Sequence, residues 1–205
     1  MDKHMIEREA HAGQSHSEMI LSMVGEILLD AGISLKNLDG IAFGAGPGSF
    51  TGLRIACGVA QGLAYGAGLK VAGIGTLTAL AAGYPADRVV ACLDARMGEV
   101  YHAAFEKVDG KLNCIAEPGL YFPGETPALP GKNWAGSGSG FSAHKTALAE
   151  RYAGQLDSID GDARPHAREM ARLALIEFES GRGVDPAAAS PLYVRNKVAL
   201  KESER

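Results

Sequence analysis

Cysteine is scarce in this 205-residue chain, and Cys57, Cys92 and Cys114 show no Cys-x-x-Cys spacing. Cys57 and Cys92 sit within apolar segments and read as small core residues rather than ligands. Long apolar runs are missing too. None approaches the ~18 residues needed to span a membrane, and no signal-peptide pattern is evident, so a reducing cytoplasm is the expected compartment. Basic charge is not in excess: 20 Lys and Arg stand against 24 Asp and Glu, a net charge of -4. That gives no footprint for autonomous nucleic-acid binding, so any RNA partner would be attracted mainly through another subunit. Metal-ligand and nucleophile patterns are also wanting. His4, His11 and His16 cluster near the start, but His11 and His16 are five apart, wrong for two imidazoles on one helix face; they read as surface or capping residues. His102, His144 and His166 are isolated. Ser49 and Thr51 lack the Gly-x-Ser-x-Gly context of a nucleophile elbow.

What the chain does have is a 46% hydrophobic composition, ample for a packed core and against wholesale disorder. Its length allows one large or two small domains. Its most informative stretch is Gly44-Ala45-Gly46-Pro47-Gly48-Ser49-Phe50-Thr51-Gly52-Leu53-Arg54. The run Gly40-Ile41-Ala42-Phe43 before it has strand length, and residues 53–65 after it read as a helix of small residues. Ser49 or Thr51 can cap that helix, leaving free N–H groups facing the loop. Gly46, Gly48, Ser49 and Thr51 are therefore a candidate anion or nucleotide loop. A tight connection that binds nothing fits the local pattern equally well. The spacing matches neither Gly-x-Gly-x-x-Gly with its ribose-binding acid nor a P-loop.

Residues 15–31 form an amphipathic helix by pattern, with Ser15 and Glu18 at capping-box spacing and Gly32 closing it. Within the small-residue helix, Gly58, Gly62 and Gly66 lie four apart, as do Ala56, Ala60 and Ala64. Each glycine costs up to ~1 kcal/mol of helix propensity, so the run implies that another backbone approaches closely. That backbone belongs either to the chain's own sheet or to a partner helix. Residues 71–74 are a short strand, and Thr76 is placed to cap a helix through Ala82. Residues 88–93 are a strand that turns through Ala95-Arg96-Met97-Gly98 into a second, 99–106, as a hairpin. The section 108–132, Pro- and Gly-rich, reads as irregular with one strand near 120–122. Trp134 precedes a Gly/Ser-rich strand-to-helix turn into a helix over 141–152, and 164–180 is a last amphipathic helix. Alternating strands and helices indicate an α/β layered fold. Asp94, Arg96 and Glu99 form a candidate polar site where the hairpin turns. Arg96 suits a carboxylate or phosphate, whereas an Asp94–Arg96 pair would brace the turn.

The phrase Gly46-Pro47-Gly48-Ser49-Phe50-Thr51-Gly52-Leu53-Arg54, with Gly62-Leu63-Ala64 behind it, closely resembles the TsaB (YeaZ) family. Asp94-Ala95-Arg96-Met97-Gly98-Glu99-Val100-Tyr101 and Pro191-Leu192-Tyr193-Val194-Arg195-Asn196 agree, in the family's order and spacing. The resemblance covers most of the chain. It implies an actin-like ATPase (ribonuclease H-like) fold with two subdomains, expected at 1–86 and 87–205. It also implies a non-catalytic platform subunit of the complex that transfers a threonylcarbamoyl group to the adenosine beside the anticodon of tRNAs. The implied partners are a TsaD-like catalytic subunit, a TsaE-like ATPase, tRNA through the complex, and a second copy as a homodimer. No membrane partner is expected. The family's contact uses two early helices, here 15–31 and 51–65, so Met19, Met23, Ile27, Gly58 and Gly62 are the expected interface. Arg195 is expected to lock the tail through a salt bridge.

Family members normally begin with two further strands, so the chain is expected to be N-terminally short by them, with residues 5–9 supplying an edge strand. The first of those strands' hairpin holds phosphates and metal in actin-like folds. No cofactor of its own is therefore expected, with ATP or ADP confined to a composite site in the complex. TsaD, the larger paralogue, carries two metal-binding histidines where this chain has Gly75-Thr76-Leu77-Thr78-Ala79-Leu80, so no metal is expected. The alternative reading is a metal- or ATP-dependent hydrolase, a glycoprotease-like peptidase of the M22 group or an actin-fold ATPase.

Overall fold

A computed structural model describes residues 5–10 and 16–195. Its contacts group into two units, neither contiguous in sequence. The first holds the residues up to Ala45, then Phe50–Ile74 and Ala167–Pro191; the second holds Gly46–Ser49, Gly75–His166 and the chain from Leu192.

In the first unit, α1 (His16–Ala31) ends at Gly32, whose φ of 64° lets the backbone N–H of Ile33 reach Leu28 O at 3.1 Å. Ser15, the expected cap, lies outside the described residues. The strands β1 (Gly40–Gly46) and β2 (Lys70–Gly75) form a two-stranded sheet, with α2 (Phe50–Ala67) between them in sequence. Leu53, Cys57, Ala60 and Ala64 are the buried face of α2. Cys57, Ala60 and Ala64 pack with Phe43, Ala45, Val71 and Ala189. The return segment is fastened by Gln61, whose side-chain amide donates to Pro186 O and Ala189 O at 3.1 and 3.0 Å. A Val71–Val184 bridge adds two backbone bonds. The last helix of this unit is α6 (Ala167–Glu179). Residues 5–10 are not a strand, contrary to the edge strand expected at 5–9. Their charged side chains make ion pairs instead: Glu7 with Arg168, and Arg8 with Glu26 and Asp30.

The second unit is a mixed five-stranded sheet in the order β5-β4-β3-β6-β7. Its strands are β3 (Arg88–Arg96), β4 (Glu99–Val108), β5 (Lys111–Tyr121), β6 (Trp134–Ser137) and β7 (Leu156–Asp160). The β3–β4 and β4–β5 pairs are antiparallel; β3–β6 and β6–β7 are parallel. Alternation along β3 divides the core. Val89, Ala91 and Ala95 join Leu77, Leu80 and Ala81 of α3 (Thr76–Gly83) on one face. Val90 and Cys92 join Trp134 and residues of α4 (Ser139–Ala143) and α5 (Lys145–Arg151) on the other. Phe141, Leu148 and Tyr152 cover that second face, each contributing about 2 kcal/mol or more on burial.

Three further elements differ from expectation. The section 108–132 is not largely irregular, because β5 runs eleven residues through it. Asp109 and Gly110 turn the hairpin with φ of 51° and 74°, the left-handed pair that a two-residue turn requires. The single helix expected over 141–152 is two, broken at His144, whose φ of -128° is not helical. Thr76 begins α3 as its first helical residue and does not cap it; Gly75 holds the cap position.

Candidate functional site

Helix α2 has two faces of opposite use. The alanines pack inward, while Gly58, Gly62 and Gly66 are exposed, and a methyl group added at any of them would meet nothing within 4 Å. The close approach these glycines permit is therefore not made to the chain's own sheet. Beside them Tyr65 is 82% exposed. On α1, Met19 is exposed and Met23 and Ile27 are half-buried, and no described residue of the helix is fully buried. Leu29, 81% exposed, and Leu21 extend the apolar surface. Sequence reasoning missed Tyr65, Leu21 and Leu29. The signal for Tyr65 was its place three residues after Gly62, on the same side of the helix.

The glycine-dense loop is closed at its strand end and open at its helix end. Gly46 is buried with φ of 120°, and Pro47 follows it through a cis peptide and is fully buried. Ser49 directly precedes α2, Thr51 lies in its first turn, and both are exposed, while Gly48 is half-buried. The Arg54 guanidinium stacks on the Phe50 ring at 3.6 Å, placing one cation over the first turn of the helix.

At the β3–β4 turn, Arg96, Met97 and Gly98 all have positive φ, and the backbone N–H of Arg96 donates to Asp94 Oδ1 at 2.9 Å. The three candidate residues do not converge. Asp94 turns toward α4 and α5, with His144 Nε2 at 3.6 Å and Arg96 at 3.3 Å, while its backbone N–H donates to Ser139 Oγ at 3.1 Å. Glu99 turns the other way and pairs with Arg195 at 2.7 Å, both side chains largely buried. Arg195 also donates to Ala95 O at 3.0 Å. Among the described residues, no group of three or more His, Cys, Asp or Glu side chains could hold a metal ion. His4 and His11 fall outside the described residues.

Comparison with known proteins places the chain in a family. A family model described as "TsaD: tRNA N6-adenosine threonylcarbamoyltransferase" matches residues 9–196. The tRNA threonylcarbamoyladenosine biosynthesis protein TsaB of Escherichia coli (strain K12) is 38% identical over 92% of this chain and 84% of its own length. The chain belongs to the TsaB (YeaZ) family. TsaB of Haemophilus influenzae is 35% identical over 93% of this chain and 84% of its own. The solved structure of YeaZ from Pseudomonas aeruginosa superimposes with a TM-score of 0.79 at 35% identity, covering 88% of this chain and 84% of that one. The α/β architecture with its mixed five-stranded sheet is thus that of YeaZ, and the chain is a TsaB homologue. Among the described residues, no helix is long and apolar enough to cross a membrane.

Proposed function

We propose that this chain is a non-catalytic platform subunit of the assembly that transfers a threonylcarbamoyl group to the adenosine beside the tRNA anticodon. In this reading the fold is an actin-like one in two subdomains. The catalytic partner is TsaD-like, a TsaE-like ATPase joins the pair, tRNA is reached through the complex, and a second copy competes for the same surface. Any ATP or ADP sits at a composite site that exists only in the complex. The observation that carries the reading is the outward glycine face of α2. Three solvent-facing glycines in one helix weaken it by ~1 kcal/mol each, with no internal contact to offset the loss. A partner helix crossing at Gly58 and Gly62 supplies that offset, with Tyr65 and the methionines of α1 as adaptable flanks.

Mixing the chain with the TsaD-like subunit of the same organism, followed by size-exclusion chromatography with light scattering, tests this directly. A stable heterodimer that Gly62→Leu abolishes is the expected outcome. Binding that Gly58→Leu and Gly62→Leu both leave intact would remove α2 from the interface.

A further inference from the structure

Helix α1 is held in an unusual way. None of its described residues is fully buried, and its last turn carries no basic residue. Asp30, in that turn, stands at the negative end of the helix dipole, an unfavourable place for a carboxylate. The missing positive charge comes from outside the helix. Arg8 pairs with Asp30 and, at 3.5 Å, with Glu26 one turn earlier on the same face. The residue before it, Glu7, pairs with Arg168 of α6 at 2.6 Å, and Arg8 Nη1 also donates to Glu7 O at 3.0 Å. Residues 7 and 8 thus tie the C-terminal half of α1 to the first turn of α6.

We propose that Arg8 is a positioning residue, the clasp that sets α1 against the rest of its unit. Glu26 and Asp30 on α1 are the acids paired with it, while the Glu7 carboxylate turns to Arg168, which holds the far end. In the platform reading, on which this consequence rests, the clasp keeps Met19, Met23 and Ile27 presented to the partner. Each pair is at least a third exposed on its Arg8 side, so the effect is modest and falls as salt is raised.

Hydrogen exchange on the full chain tests it without any partner. Arg8→Ala should speed exchange of amides in the second half of α1 about three- to fivefold while leaving β4 unchanged. In an Asp30→Asn background the same substitution should have less than half that effect, because the closer of its two acids is gone and only the longer, more exposed Glu26 pair remains. Unaltered exchange in α1, or an equal rise in both backgrounds, would overturn the clasp. Affinity for the TsaD-like subunit, measured on the same proteins, separates the two ideas. Faster exchange in α1 with unchanged affinity leaves the clasp standing and tells against α1 as part of the platform surface.

Discussion

Acid should unfold this protein through one buried histidine. His102 lies in β4 with no solvent exposure, its Nε2 2.8 Å from Tyr152 Oη, and the Tyr152 hydroxyl lies 3.2 Å from Pro127 O. The hydroxyl has one proton. If it goes to the Pro127 carbonyl, His102 Nε2–H donates to Tyr152 Oη, and Nδ1 is left as a bare acceptor with no partner among the described residues. This tautomer is assigned from the network, as the less costly orphan. A second proton would have to sit on Nδ1, unpartnered and in the field of Arg151. Burial first and Arg151 second lower the His102 pKa from 6.5 to about 4.

Above pH 6.5 the ring is neutral in folded and unfolded chains alike, and it adds no pH dependence. As pH falls from 6.5 toward 4, the unfolded chain takes up a proton that the folded chain refuses. Stability then drops by about 1.4 kcal/mol per unit, roughly 3 kcal/mol across the window, and the slope vanishes below pH 4. Against the ~5–15 kcal/mol of an ordinary domain this is a large fraction. Urea unfolding at pH 7 and pH 5 should show the wild type losing about 2 kcal/mol more than His102→Gln, whose amide can still bond Tyr152. Equal losses in the two proteins would refute the reasoning, because other titrating groups are common to both.

The other predictions concern the two α2 faces and the sheet. Gly62→Leu should raise helix stability by up to ~1 kcal/mol, seen as a higher urea midpoint, while abolishing TsaD-like binding; a lower midpoint would mean the glycine faces the core. Gly138→Ala should destabilise by about 2–4 kcal/mol. Gly138 has φ of 106°, and an added Cβ would sit 2.4 Å from Cys92 O, backbone that cannot swing aside. Arg195→Ala should lower stability by about 1–2 kcal/mol, by leaving Glu99 largely buried and unpaired, with limited proteolysis of the tail as an independent readout.

Most of the first 100 residues could be read directly, because strand, turn and helix signals there are local. The β3–β4 hairpin follows from β-branched residues flanking Arg96-Met97-Gly98, and α1 from its 3.6-residue period. Strand β5 was hidden for a physical reason. It is an edge strand, and edge strands tolerate what central ones exclude: Pro118, Gly119 and a run of exposed side chains at 113–115. The Asp109-Gly110 turn was the available signal. The polar cluster misled for a different reason. Asp94, Arg96 and Glu99 are close in sequence, but the bulge between Asp94 and Arg96 and the pleat send Asp94 and Glu99 to opposite sides. Only the contacts with His144 and Arg195, both far along the chain, reveal it.

Helix α2 shows why the candidate site was half-legible. Alanines and glycines four apart announce two close approaches, but composition alone does not say which face meets which neighbour. Burial decides it. Ala60 and Ala64 are 2% and 0% exposed against their own sheet, so the glycine face is left for something else. A helix stabilised only by its own domain would gain by replacing those glycines with alanine, at no steric cost. In the platform reading, the three outward glycines answer a requirement outside the folded chain, and a closely packed partner helix is the kind of neighbour that imposes it.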